Sequence, residues 1–104
     1  PSDPRLLRVC QVILADPSDS RTLDDWAKLA GMGRRTFTRA FKQETGMGVA
    51  MWRQQVRLMQ ALSLIASGDS ITRVAFEVGY DSPSAFSAMF RRTFGMPPSQ
   101  YQLH

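Results

Sequence analysis

Apolar residues along this chain recur at helical spacing, and nowhere does strict alternation persist for the length of a strand, so an all-α fold is predicted. Ile71, Val74, Ala75 and Val78 stand at i, i+3, i+4 and i+7, one face of a helix. Gly79 ends that helix, because a glycine just past the last periodic residue supplies the left-handed conformation that a helix end and a sharp turn both need. Ser82 and Pro83 restart the chain: the serine caps the next helix and the proline fits its first turn, where no backbone N–H is required. Phe86, Met89 and Phe90 form the apolar side of that helix, leaving Ser84, Ser87, Ala88, Arg91 and Arg92 for its other sides. Two short helices about a tight turn, over residues 71–94, are predicted to form a helix-turn-helix. A last short helix follows from Pro97-Pro98-Ser99, with Tyr101 and Leu103 packing back onto the core.

The same pattern occurs earlier. Over residues 23–52, Leu23 aligns with Ile71, Ala27 with Ala75 and Gly31 with Gly79; after a one-residue gap, Phe37 aligns with Phe86, Phe41 with Phe90, Gly46 with Gly95 and Trp52 with Tyr101. A turn, an apolar pattern and a terminator repeated together point to a tandem of two helix-turn-helix units. In the first, Thr22 and Asp25 make a capping box with aspartate in the usual place of glutamate, and Gly33 stands where Ser82 caps the second. From Arg34 to Thr45 a helix buries Phe37 and Phe41, while Arg35, Thr38, Arg39 and Lys42 share the opposite side at i, i+3, i+4 and i+7.

The remaining segments fill out seven helices. Asp3-Pro4 opens one that runs to about Ala15, with Leu6, Val9, Cys10, Ile13 and Leu14 as its apolar stripe. Between Gly48 and Gly68, residues 49–66 form the longest helix, roughly 27 Å at 1.5 Å per residue. It carries one stripe of Trp52, Val56 and Met59 and another of Leu58, Leu62 and Ile65. A helix that is apolar in two directions reads as a strut between a first subdomain, residues 3–48 with its helix-turn-helix at 23–45, and a second, residues 67–104. Arg53 and Arg57 project from it, either toward phosphates or into solvent.

Composition narrows the classes of function. No run is apolar enough to span a membrane, and the N-terminus lacks a signal peptide's apolar core. A single cysteine excludes an internal disulfide and fits a reducing cytoplasm. Because Cys10 lies in a core stripe, it reads as a buried structural thiol rather than a nucleophile. The chain opens on proline, which is read as a domain cut from a longer protein. Net charge is +4, and its placement matters more than its size: Arg34, Arg35, Arg39 and Lys42 gather on one helix, whereas Asp16, Asp19, Asp24 and Asp25 precede it. That division suits a polyanion-binding face, or a solvated basic helix surface.

The second unit resembles the signature region of the AraC/XylS family of bacterial transcription regulators, through Val74-Ala75, Gly79-Tyr80, Ser82-Pro83-Ser84, Phe86-Ser87, Phe90, Phe94-Gly95, Pro98 and Tyr101. The first unit matches through Ala27, Gly31-Met32, Phe37, Arg39, Phe41, Thr45-Gly46 and Trp52. The resemblance covers nearly the whole chain. It implies seven helices, two helix-turn-helix units joined by a long helix, and recognition helices entering successive major grooves, which lie roughly 34 Å apart along one side of the duplex. Carried over residue by residue, it implies base-facing positions at Arg35, Thr38 and Arg39 in the first unit and at Pro83, Ser84, Ser87 and Ala88 in the second. Arg34, Lys42, Ser82, Arg91 and Arg92 are the expected phosphate contacts. The chain departs from the family pattern at Gly33, at Gly48-Val49, and at Ala88, which leaves the second helix without a long donor. The expected partner is double-stranded DNA. The resemblance also implies a surface for RNA polymerase, an effector and dimerisation domain elsewhere in a longer parent chain, and no cofactor.

Two other classes stand beside this reading. A protein-interaction helix-turn-helix would need apolar anchors on its exposed face, where Arg34, Arg35, Thr38, Arg39 and Lys42 instead offer donors to phosphate and guanine. A catalytic role would need a constellation that the sequence does not display, since His104 is terminal and no helix face joins carboxylates to histidine. The remaining form of that class is a DNA-targeting domain of a larger enzyme.

Overall fold

The computed structural model describes residues 2–101, which form seven helices and no strand: α1 (Pro4–Ala15), α2 (Leu23–Leu29), α3 (Arg34–Thr45), α4 (Val49–Ala66), α5 (Ile71–Glu77), α6 (Pro83–Phe94) and α7 (Pro98–Tyr101). Leu103 and His104 lie outside the described residues. Most helices start where a short polar side chain accepts an otherwise unpaired backbone N–H. Asp3 accepts from Arg5 on α1, Ser70 from Arg73 on α5 and Ser82 from Ala85 on α6. At α2 the capping box is complete: the Asp25 N–H donates to the Thr22 hydroxyl and the Thr22 N–H to the Asp25 carboxylate. Gly33 begins α3 with no side-chain cap.

The two helix-turn-helix turns are built alike. Gly31 and Gly79 take positive φ of 69° and 94°, which a residue with a Cβ adopts only at a cost. This lets the N–H of Met32 donate to the Ala27 carbonyl, and that of Tyr80 to the Ala75 carbonyl, each at 2.9 Å. The two turns then differ by one residue, Asp81, which intervenes between Tyr80 and the Ser82 cap.

The chain divides into two compact units, Pro1–Val56 and Arg57–His104. The core of unit 1 is Leu6, Val9, Cys10 and Ile13 of α1 with Trp26, Ala27, Ala30, Phe37 and Phe41; Trp52 and Val56 pack against it. The core of unit 2 is Leu58, Ala61 and Ile65 of α4 with Val74, Ala75, Val78, Phe86, Met89 and Phe90; Tyr80, Phe94 and Tyr101 pack against it. Leu6, Val9, Cys10 and Ile13 have the spacing of Leu58, Ala61, Leu62 and Ile65, so the repeat includes a third helix in each unit. Ring geometry repeats too. Phe37 and Phe41 lie 5.7 Å apart at 50°, Phe86 and Phe90 5.7 Å apart at 51°.

Two apolar residues are not where the periodicity puts them. Met59 is 71% exposed: it continues the Trp52 and Val56 stripe, but it lies one turn past Val56, where the face packed on the unit 1 core stops. Leu14, 58% exposed, sits at the margin of the α1 stripe in its last turn. In compensation Ala61, too small to register as a core anchor, is fully buried.

Candidate nucleic-acid interface

Helix α3 presents its two sides in full contrast. Phe37 and Phe41 are wholly buried, and Arg34, Arg35, Thr38, Arg39 and Lys42 are exposed along one shallow surface depression of about 500 Å³. The period of the helix dictates this, since residues three, four and seven apart share a side. Arg34 Nε stands 3.9 Å from an Asp24 carboxylate oxygen, and with both side chains more than half exposed this pair holds the arginine only weakly. The Thr38 hydroxyl donates to the Arg34 carbonyl at 2.9 Å. What Thr38 turns outward is therefore acceptor lone pairs and a methyl group, suited to a thymine methyl or a cytosine amino group.

Helix α6 offers shorter groups. Ser84 and Ala88 are exposed, Ser87 and Pro83 half-buried, and Phe86, Met89 and Phe90 form the inner side. The Ser82 oxygen accepts the Ala85 N–H at 3.1 Å, which leaves its hydroxyl proton free to donate outward. Arg91 and Arg92 are exposed in the last turn, where cations also complement the helix dipole. Gly95, in the left-handed conformation, ends the helix just beyond them.

The linker arginines have partners inside their own units. Arg53 is half-buried and donates through Nη2 to the backbone carbonyl of Asp19, 34 residues away, pinning the loop between α1 and α2 to α4. Arg57 lies 5.7 Å from the centre of the Tyr80 ring, which itself meets Phe86 edge-on at 5.6 Å. Neither contact was legible from spacing along the chain, because each depends on how the helices fold onto one another. Both exclude the freely solvated state that remained open for these residues.

Cys10 is 2% exposed, and burial pushes its thiol up from the ordinary value, which keeps it protonated and unreactive. Among the described residues, no three or more His, Cys, Asp or Glu side chains gather where a metal ion could be held. Among the described residues, no helix is long and apolar enough to cross a membrane.

A family described as a helix-turn-helix domain matches residues 26–104. The HTH-type transcriptional regulator NimR of Escherichia coli (strain K12) is 34% identical over 100 residues, covering 96% of this chain and 37% of NimR. The chain spans about a third of the length of the curated relatives it matches. Among solved structures, the DNA-binding domain of the transcriptional factor AdpA, in complex with a target DNA, superimposes with a TM-score of 0.88 at 35% identity, covering 98% of this chain and 92% of that one. A transcriptional regulator from Chromobacterium violaceum, described as carrying an AraC-type DNA-binding domain, does so with a TM-score of 0.86 at 27% identity, over 98% and 92%. The chain therefore belongs to the AraC/XylS family, as an AraC-type helix-turn-helix domain.

Proposed function

We propose that this domain binds double-stranded DNA through α3 and α6, each reading a stretch of major groove, and thereby regulates bacterial transcription. The observation that carries the reading is the exposed side of α3, where Arg34, Arg35, Arg39 and Lys42 surround Thr38 with no apolar anchor among them. Long cationic donors recognise phosphate oxygens and the O6 and N7 atoms of guanine. A protein-docking helix of equal exposure needs buried-in-complex aromatic or aliphatic anchors instead. The AdpA domain, seen with its target DNA, supports the same reading by likeness.

Within it, Arg35, Thr38 and Arg39 contact bases from α3, and Ser84, Ser87 and Ala88 do so from α6. Arg34, Lys42, Ser82, Arg91 and Arg92 hold phosphates. The named relatives are regulators, so transcription control rather than catalysis is the activity, exercised in the cytoplasm where bacterial DNA lies. Effector binding, dimerisation and contact with RNA polymerase fall to other surfaces or to other parts of a longer chain.

Fluorescence anisotropy with a labelled random duplex tests the proposal. Binding should be present at low salt, and log K should fall linearly with log salt as neutralised phosphates release their counterions. Absence of duplex binding at low salt, or affinity independent of salt, would refute it.

A further inference from the structure

We propose that Thr38 is a specificity-determining residue that reads a thymine through the C5-methyl group of the base, an inference that rests on the DNA-binding reading of α3. Thr38 is exposed and stands among four cations, with Arg34 and Arg35 one turn before it, Arg39 beside it and Lys42 one turn after. Its hydroxyl donates to the Arg34 carbonyl at 2.9 Å, the bond that a helical threonine makes to the turn preceding it. That proton is spent within the protein. Toward a partner Thr38 therefore offers a methyl group and oxygen lone pairs, but no donor.

The surroundings decide between the methyl and the lone pairs. The lone pairs would accept from the amino group of an adenine or a cytosine, an electropositive group brought in among three guanidinium groups and an ammonium group. Thymine brings no donor to its major-groove edge, only the C5-methyl group and the O4 acceptor. Its methyl group meets that of Thr38 in a depression whose lining is mostly carbon, as the stems of arginine and lysine provide when their charged heads stay in water. Its O4 then accepts from a neighbouring arginine. Three residues of helix advance about 4.5 Å, little more than the roughly 3.4 Å step between base pairs, so Arg35 and Thr38 address neighbouring pairs. A guanine beside a thymine satisfies both side chains.

The test uses the duplex that wild type binds most tightly from a random pool, with each thymine replaced in turn by deoxyuridine, which removes the C5-methyl group and nothing else. By fluorescence anisotropy, replacement of one thymine should weaken wild type about fourfold, the value of one buried methyl group. Thr38→Ser keeps the bond to the Arg34 carbonyl without the methyl group. It should bind the intact duplex more weakly by a similar factor and no longer distinguish uracil from thymine at that position. Thr38→Val keeps a methyl group without the hydroxyl, and should distinguish the two bases as wild type does. Both substitutions fall at an exposed position and leave the core intact. Duplex binding in which no thymine shows this coupling to Thr38→Ser, or in which Thr38→Val loses the discrimination as well, overturns this inference alone. Failure of wild type to bind any duplex would strike the DNA-binding reading beneath it.

Discussion

Trp52 stands edge-on to Phe41, ring centroids 5.9 Å apart and planes at 79°. Tyr101 stands in the same relation to Phe90, at 5.2 Å and 82°. Phe41 and Phe90 lie on the inner sides of α3 and α6, so in each unit an aromatic ring from the next helix braces the recognition helix from behind. Such pairs add roughly 0.5–1.5 kcal/mol beyond the area they bury. Trp52→Ala and Tyr101→Ala are each expected to destabilise the domain by about 2 kcal/mol or more, since both remove a large, partly buried ring. Urea denaturation followed by circular dichroism measures this, and a loss below about 0.5 kcal/mol in both variants, the level of an ordinary surface substitution, would remove the bracing role.

The capping box of α2 predicts a pH dependence. Hydrogen bonds from the backbone N–H of Thr22 and then from its side chain hold the Asp25 carboxyl below its ordinary value of 3.8, with Lys28 and Arg21 adding smaller electrostatic contributions. In the unfolded chain the group returns to that ordinary value. A depressed carboxyl therefore contributes stability that is fully present above the unfolded pKa and lost as pH falls through the lower folded one. Wild type should exceed Asp25→Asn in Tm at neutral pH, and the gap should close once the pH drops below about 4. Thermal melts over a pH series decide it, and a gap that persists unchanged in acid contradicts the mechanism.

Much of this arrangement is legible in the sequence because it is local. Asp3, Thr22, Ser70 and Ser82 cap the helices they precede, and Gly79 and Gly31 form the turns their places in the repeat require. The exposed side of α3 is equally local, fixed by the positions of Phe37 and Phe41. What escapes is whatever depends on a second element. Met59 has the right period to be buried, yet it is exposed. Arg53 finds its partner in a loop far along the chain, and the repeat of α1 in α4 is hidden because Ala61 stands where α1 has Val9 and a shorter loop follows.

Gly33 offers a stabilising substitution. It occupies the N-cap of α3 with φ −69° and ψ 158°, close to the −65° and 148° of Ser70, yet has no side chain to accept an N–H. A Cβ added there meets nothing within 4 Å. Gly33→Ser is therefore expected to raise stability by a few tenths of a kcal/mol by supplying the missing acceptor. A small upward shift in the urea midpoint with an unchanged m-value is the expected result, and a decrease would show that the serine cannot reach the cap geometry.

The two recognition helices should contribute unequally to sequence reading, because their exposed chemistry differs. Arg35 and Arg39 on α3 are long donors that can bind guanine O6 and N7 together, and each such contact discriminates by roughly 1–3 kcal/mol. Ser84, Ser87 and Ala88 on α6 are short, limited to a single hydrogen bond or a contact with a thymine methyl. Arg91 and Arg92, in the last turn of α6, are suited to phosphates, which position a protein but carry no sequence information directly. Arg39→Ala should therefore relax base preference in one half of the site. Arg92→Ala should weaken binding evenly across sequences and reduce the salt slope by about one phosphate contact. Ser84→Ala and Ser87→Ala should each cost less affinity than Arg39→Ala. Selection of bound sequences from a random duplex pool, followed by a base-by-base affinity profile for each variant, reads all of these at once. If the half-site read by Ser84 and Ser87 proves the more stringent, the assignment of dominance to α3 is wrong.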